Sequence, residues 1–248
     1  MIMYRRDVLE HVVKDIKILL VLAYFRLNCN LIGRIGFTLE NIITSIGYVP
    51  CRNKDGINNK IKNQLTWLQK NNYMSFDCDI NRLKPKDFVV ATIVNDKSNI
   101  FSVDLNKDKF VILTQERFDL ISQTKTKSDK AKLLNTYLHI AKRINLSDSP
   151  GSNKICYPSI KTLMANTGTM SINYMYQMID ELVEMGAIYK HHCGQAKTDK
   201  SRLINTPNIY AVNKSDLSKS ICEAALNEHY AEKGIKIVSF HSNAGQSV

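Results

Sequence analysis

Apolar residues recur at helical spacing along most of the chain, broken by short runs that alternate or cluster in the manner of strands. The first helix is expected over about Asp7–Cys29, with Val12, Val13, Ile16, Leu19, Leu20, Ala23 and Leu27 as its apolar positions. Thr38 can cap a second helix that ends at Gly47, and a polar loop leads to a third at about Ile57–Lys70, whose inward stripe is Ile61, Leu65 and Leu68. Tyr73–Phe76, Phe88–Ile93 and Phe110–Leu113 read as strands, with Asn99–Leu105 a further candidate, and Thr114 can cap a short helix. Another helix is expected over about Ser128–Ile144, followed by a long loop with a turn at Pro150-Gly151. Ser159 caps the next helix, which carries Ile160, Leu163 and Met164 and stops at Gly168. Ser171 caps its partner, with Met175, Met178, Ile179, Leu182 and Val183 inward and Gly186 at the end. Ile188–His192 and Asn208–Val212 are expected to pair as strands, and a helix over about Leu217–Tyr230 precedes a polar end expected to be disordered.

The pattern repeats. An offset of 121 carries Thr38, Leu39, Ile42 and Gly47 onto Ser159, Ile160, Leu163 and Gly168, and an offset of 114 carries Asn59, Ile61, Leu65 and Leu68 onto Asn173, Met175, Ile179 and Leu182. Two copies of one helical unit are therefore expected, the first with seven extra residues in its turn. In the second copy, Leu163, Gly168, Ser171, Ile179, Leu182, Gly186 and Ile188 resemble the winged helix-turn-helix modules of bacterial regulators and of plasmid or phage replication initiators. The resemblance implies an α+β, mainly helical fold of two winged helix-turn-helix domains joined by a small β-containing connector. The expected division is 1–80 for the first module, 81–127 for the connector, 128–214 for the second module and 215–248 for a C-terminal helix and flexible tail.

Such a module lays its second helix in a major groove, so the outward residues of that helix are the candidate base readers. In the first copy they are Asn58, Asn59, Lys62, Asn63 and Gln64, and in the second Asn173, Tyr176 and Gln177. Asn and Gln can bond adenine N6 and N7 together. Arg52, Lys54 and Lys60 near the first helix, and Lys190, Lys197, Lys200 and Arg202 around the second copy's strands, are candidate phosphate contacts. The second copy departs from the pattern, because Asp180, Glu181 and Glu184 crowd the end of its helix. Protein docking is the alternative for that module.

Composition widens the same picture. The net charge of +11 is spread through residues 1–214, where basic residues outnumber acidic ones in every segment, which suits a chain lying along a polyanion. No helix pairs a Lys-rich face with a broad apolar face, and the apolar run Ile18–Phe25 is too short to span a bilayer, so no membrane partner is expected. Six cysteines lie far apart with no C-x-x-C pair, and no leader is evident, which reads as a reducing cytoplasm. Phosphate-loop, nucleophile-elbow and zinc-protease motifs are absent from the sequence, and the adjacent His191 and His192 do not form the His-x-His metal pair of nicking enzymes. His191, His192 and Cys193 are instead expected at a polar wing, and Tyr174 and Tyr176 as a packing residue and a groove contact rather than as nucleophiles. The expectation is a non-catalytic protein with no cofactor that binds double-stranded DNA in a sequence-specific way. Its favoured role is replication initiation on a mobile element, with a homodimer or a replication protein as further partner. A transcriptional regulator and a docking adaptor are the alternatives.

Overall fold

Eight consecutive apolar residues, Ile18–Phe25, are buried on every side of helix α1 (Lys17–Asn28), so this segment is a core helix rather than an amphipathic surface one. The computed structural model describes residues 2–5, 16–51, 53, 56–94, 110–144 and 154–241, and the expected start of α1, the strand at Asn99–Leu105 and the Pro150-Gly151 turn lie outside them. The fold is mixed α/β, with eight α-helices and four small antiparallel sheets among the described residues. The chain divides into two units, Met1–Leu138 and His139–Val248.

In the first unit, β1 (Ile2–Arg5) pairs with β5 (Phe110–Leu113), and the Tyr4 hydroxyl donates to the Leu19 carbonyl at 2.9 Å, tying this ribbon to α1. Then come β2 (Arg34–Thr38), α2 (Leu39–Ser45), α3 (Ile57–Lys70), β3 (Met74–Phe76) and β4 (Phe88–Ile93), with sheet order β2-β4-β3. Phe88–Ile93, expected in a connector, is thus the central strand of this unit's sheet, and its alternating burial places Val89, Ala91 and Ile93 in the core. Rings of Phe25, Phe37 and Phe76 meet there edge to face. Helices α4 (Gln115–Gln123, capped by Thr114) and α5 (Lys130–Ala141) follow, and α5 carries the chain across the division at Leu138.

The second unit contains β6 (Ile155–Cys156), α6 (Ile160–Thr167), α7 (Ile172–Glu184), β7 (Tyr189–His192), β8 (Gln195–Thr198), β9 (Leu203–Asn205), β10 (Asn208–Ala211), α8 (Lys219–Ala231) and β11 (Ile237–His241). Its first sheet has order β6-β10-β7 and its second β11-β8-β9. The hairpin β8–β9 was not evident from the sequence. Nor was β11, which replaces part of the expected disordered end, because Ile237 and Phe240 pack against the core of Ile209, Cys222 and Leu226.

The two units share one plan down to individual bonds. Thr38 and Ser159 each accept from the backbone N–H three residues on, at 3.1 Å. Tyr48 N bonds Ile43 O and Thr169 N bonds Met164 O, closing both helices over left-handed glycines, Gly47 and Gly168. At the next helix end, Tyr73 N bonds Leu68 O and Ala187 N bonds Leu182 O, both at 2.9 Å. Sheet register agrees as well: Ile35 faces Ala91 while Cys156 faces Tyr210, and Phe76 faces Ala91 while Lys190 faces Tyr210. The β2-β4-β3 and β6-β10-β7 sheets both run first, last, middle. Short side chains and hydrogen bonds recur at equivalent places even where residue types differ, since the helix caps and buried stripe, rather than identity, set the geometry.

His139, in the last turn of α5, is buried and neither ring nitrogen has a hydrogen-bond partner. Burial, with the like charges of Lys142 and Arg143, pushes its pKa down to about 4. The unfolded imidazole binds its proton near 6.5 and the folded one only near 4, so stability present at neutral pH is lost as pH falls through that window. Acidification from about pH 7 to about pH 5 is expected to cost roughly 2 kcal/mol from this group, read as a shift in urea midpoint. His139→Leu should flatten that dependence. An unchanged pH slope in the variant would exclude His139 as its source.

Candidate nucleic-acid interface

The outer face of α3 is set by which residues its inner stripe takes. Ile61, Leu65 and Leu68 are fully buried, and at 100° per residue Asn58 and Gln64 fall on the same side, three residues either side of Ile61. Both are buried, at 6 % exposure each. The Asn58 side-chain oxygen accepts from Cys51 N at 2.9 Å and so holds the loop before α3. Asn58 and Gln64, expected as base readers, are therefore largely buried, and Asn58 holds the loop while also bordering the cavity beside α3. Asn59 and Lys62 are half-buried, and Lys60 and Asn63 are exposed; these four hold the outward side. Arg52 and Lys54 lie outside the described residues. Trp67 packs its ring against Tyr73 at 5.4 Å, in keeping with a packing role.

The loop from β3 to β4 completes this face. Ile80 and Leu83 are buried and anchor it, while Glu40 N bonds Pro85 O at 2.9 Å and ties it to α2. Its acids are engaged locally: Asp77 accepts from Val90 N, Asp79 from Asn81 N, and Asp87 from Lys84 N. Lys84 and Lys86 remain exposed. Together with Asn59 and Lys62 they line an open cavity of about 510 Å³. Three lysines around one groove, with the Asp87 carboxylate also in its lining and the amide side chains of Asn59 and Asn63 on the adjoining helix, is an arrangement that suits a phosphate backbone with bases alongside. Lys84 and Lys86 were not among the expected contacts because the stretch KPKD was assigned to a connector. Two basic residues in a short loop between strands was the available signal.

The second unit presents different chemistry at equivalent positions. Asn173 and Tyr176 are exposed, taking the places of Asn59 and Lys62, and Gln177 donates to Glu181 at 3.1 Å. Asp180 and Glu184 stand where the first unit has Thr66 and Lys70, and Lys190 is drawn into an ion pair with Asp180 at 2.7 Å. Its charge is shared with α7 rather than standing alone. Met170, Ile172 and Tyr176 expose apolar surface at the start of the helix, at 97 %, 48 % and 43 %. The basic residues expected around the strands are on the β8–β9 hairpin, where Lys197, Lys200 and Arg202 are all exposed. Thr198 shapes its tip, accepting at Oγ1 from Arg202 N and bonding Arg202 O through its own N–H. His191 and His192 diverge along β7, and His192 Nδ1 accepts from Gly194 N. Among the described residues no group of three or more His, Cys, Asp and Glu is placed to hold a metal ion, and no helix is long and apolar enough to cross a membrane.

Comparison with protein-family models, with curated proteins and with solved structures returned no significant match.

The two kinds of Asn on α3 can be told apart. Asn58→Ala is expected to cost about 1–3 kcal/mol of stability, since Cys51 N loses its partner, and to leave the ratio of specific to random DNA binding unchanged. Asn63→Ala should do the reverse, lowering that ratio by the roughly 1–3 kcal/mol of a lost base contact with no change in unfolding midpoint. Paired unfolding and binding measurements on both variants check this; a specificity loss in Asn58→Ala would return it to the reading face.

Proposed function

We propose that the chain is a tandem winged helix-turn-helix protein that binds double-stranded DNA without catalysing a reaction on it, in the role of a replication initiator of a plasmid, phage or related element. The observation that carries the reading is the groove between α3 and the β3–β4 loop, with Lys62, Lys84 and Lys86 around it and Asn59 alongside. Support comes also from the order strand, two helices, strand and a later central strand, which recurs in both units, with β8 and β9 inserted before the central strand of the second, and which suits a winged helix. In this reading α3 enters the major groove, the β3–β4 loop lies on the backbone, and the β8–β9 hairpin serves as the basic wing of the second unit. The initiator role itself rests on resemblance at the level of fold.

A second reading applies to the second unit alone. The exposed Met170, Ile172 and Tyr176 beside Asp180 and Glu184 suit a protein partner better than a phosphate backbone, and would make this unit an adaptor in a replication complex or a contact between two copies. Selection of bound sequences from random duplex DNA tests both. Direct repeats spaced by about one helical turn support an initiator with two reading units. A palindrome supports a dimeric regulator, and no enrichment with retained salt-dependent binding leaves the first unit as a non-specific clamp.

A further inference from the structure

A second cavity lies wholly within the second unit, on the side built from the β6–α6 junction, the turn before β10 and the end of α8. It has a volume of about 650 Å³, within the usual ~300–1,000 Å³ of small-molecule sites. Arg143, Tyr157, Ser159, Thr162, His229 and Lys233 line it, and among its described lining residues there is no carboxylate. The chemistry has two halves. One is cationic: Arg143 pairs with no described carboxylate, and Lys233 Nζ lies 2.7 Å from His229 Nε2. Burial and the Lys233 charge lower the His229 pKa, and both side chains line the cavity. The other half is aromatic, with Tyr157 and His229 edge to face at 4.6 Å and Tyr230 beside them. Glu228 and Glu232 are near enough to act on Tyr157 but do not line the cavity.

An inorganic anion would satisfy the cations and leave most of this volume and the ring surface unused. A neutral aromatic ligand would leave the cations without partners. We propose that the cavity binds a phosphorylated nucleoside, its phosphate held by Arg143 and Lys233 and its base against Tyr157 and His229. Ser159 and Thr162, whose hydroxyls are 2.8 Å apart at the start of α6, supply the polar lip where a sugar would rest. The same chemistry is carried by a free mononucleotide and by the terminal nucleotide of a single strand. The site is independent of the α3 groove, so it stands or falls apart from duplex binding.

Calorimetric titration of the intact chain with adenosine 5′-monophosphate, adenosine, inorganic phosphate and a short single strand bearing a 5′-phosphate tests this. The expected result is saturable nucleotide binding, with adenosine and phosphate each at least ten-fold weaker. Arg143→Ala with Lys233→Gln should weaken the nucleotide at least ten-fold at an unchanged melting temperature, and Lys62→Ala with Lys84→Ala should leave it unchanged. Stronger binding of the strand than of the mononucleotide identifies a strand end as the source, and the opposite order a free nucleotide. Saturation transfer from the protein's aromatic protons to the adenine ring in the parent chain reads the stacking half without any variant. No binding of either nucleotide form, or phosphate binding as tightly as the nucleotide, overturns the proposal.

Discussion

A chain carrying Lys62→Ala, Lys84→Ala and Lys86→Ala is expected to bind duplex DNA about 10²–10³ times more weakly than the parent at fixed salt, with its fold intact. The three side chains are half-buried or exposed, and they gather over one cavity, so their removal changes charge rather than core. A charged contact to phosphate contributes about 1–1.5 kcal/mol, close to a factor of ten each. The salt dependence gives a second readout that does not rely on affinity. If the parent neutralises about six phosphates, its log–log slope lies near −5, and losing three contacts should make that slope shallower by about three. Sequence preference should survive, since phosphate contacts position the protein and base contacts specify. The corresponding change in the second unit, Lys197→Ala, Lys200→Ala and Arg202→Ala, distinguishes the two readings of that unit. A slope change there places the hairpin on DNA, whereas normal binding leaves α7 and its apolar, acidic face for a protein. A triple Lys62, Lys84 and Lys86 variant with an unaltered slope would remove the α3 groove from the DNA interface.

The equivalent glycines Gly47 and Gly168 are expected to respond very differently to alanine. Both close a helix in the left-handed region, at φ +84° and +68°, where an L side chain costs about 1 kcal/mol. Around Gly168 nothing lies within 4 Å of an added Cβ, so Gly168→Ala should lose about that much and no more. At Gly47 the added carbon would sit 1.9 Å from the Ser122 carbonyl oxygen, a backbone atom of α4 that cannot rotate aside. Gly47→Ala should therefore cost at least about 3 kcal/mol, in the range reserved for overpacked or strained positions. Hydrogen exchange of amides in α3 and α7 reports the two units separately. Comparable losses in both variants would mean that Gly47 does not lie against the Ser122 carbonyl.

What could be read in advance was what is local. Thr38, Thr114, Ser159 and Ser171 mark helix starts because a side-chain oxygen satisfies an N–H only three residues away. The α3 boundaries, Ile57–Lys70, coincide with the expected ones because its apolar stripe has the helical period over the full length. The offsets of 121 and 114 found in the sequence reappear as matched caps and sheet register, since both depend on the spacing of the same few buried and capping residues.

What the sequence left undecided depends on residues brought together across long separations. Phe88–Ile93 looked like one strand among several, and only its pairing with both Arg34–Thr38 and Met74–Phe76 makes it the centre of a sheet. The ribbon of Ile2–Arg5 with Phe110–Leu113 joins segments about a hundred residues apart, which no local period encodes. Asn58 and Gln64 read as polar and hence outward, yet the rotation of α3 turns them inward, where Asn58 bonds a loop. Lys84 and Lys86 read as spacer residues, and the β3–β4 loop sets them beside Lys62. Sequence by itself determined the helices, their caps and the repeat, because those are decided within a few residues of chain. Tertiary structure decided which polar side chains face outward and which distant cations share a groove, because burial and charge clustering are properties of packed surfaces and not of chain order.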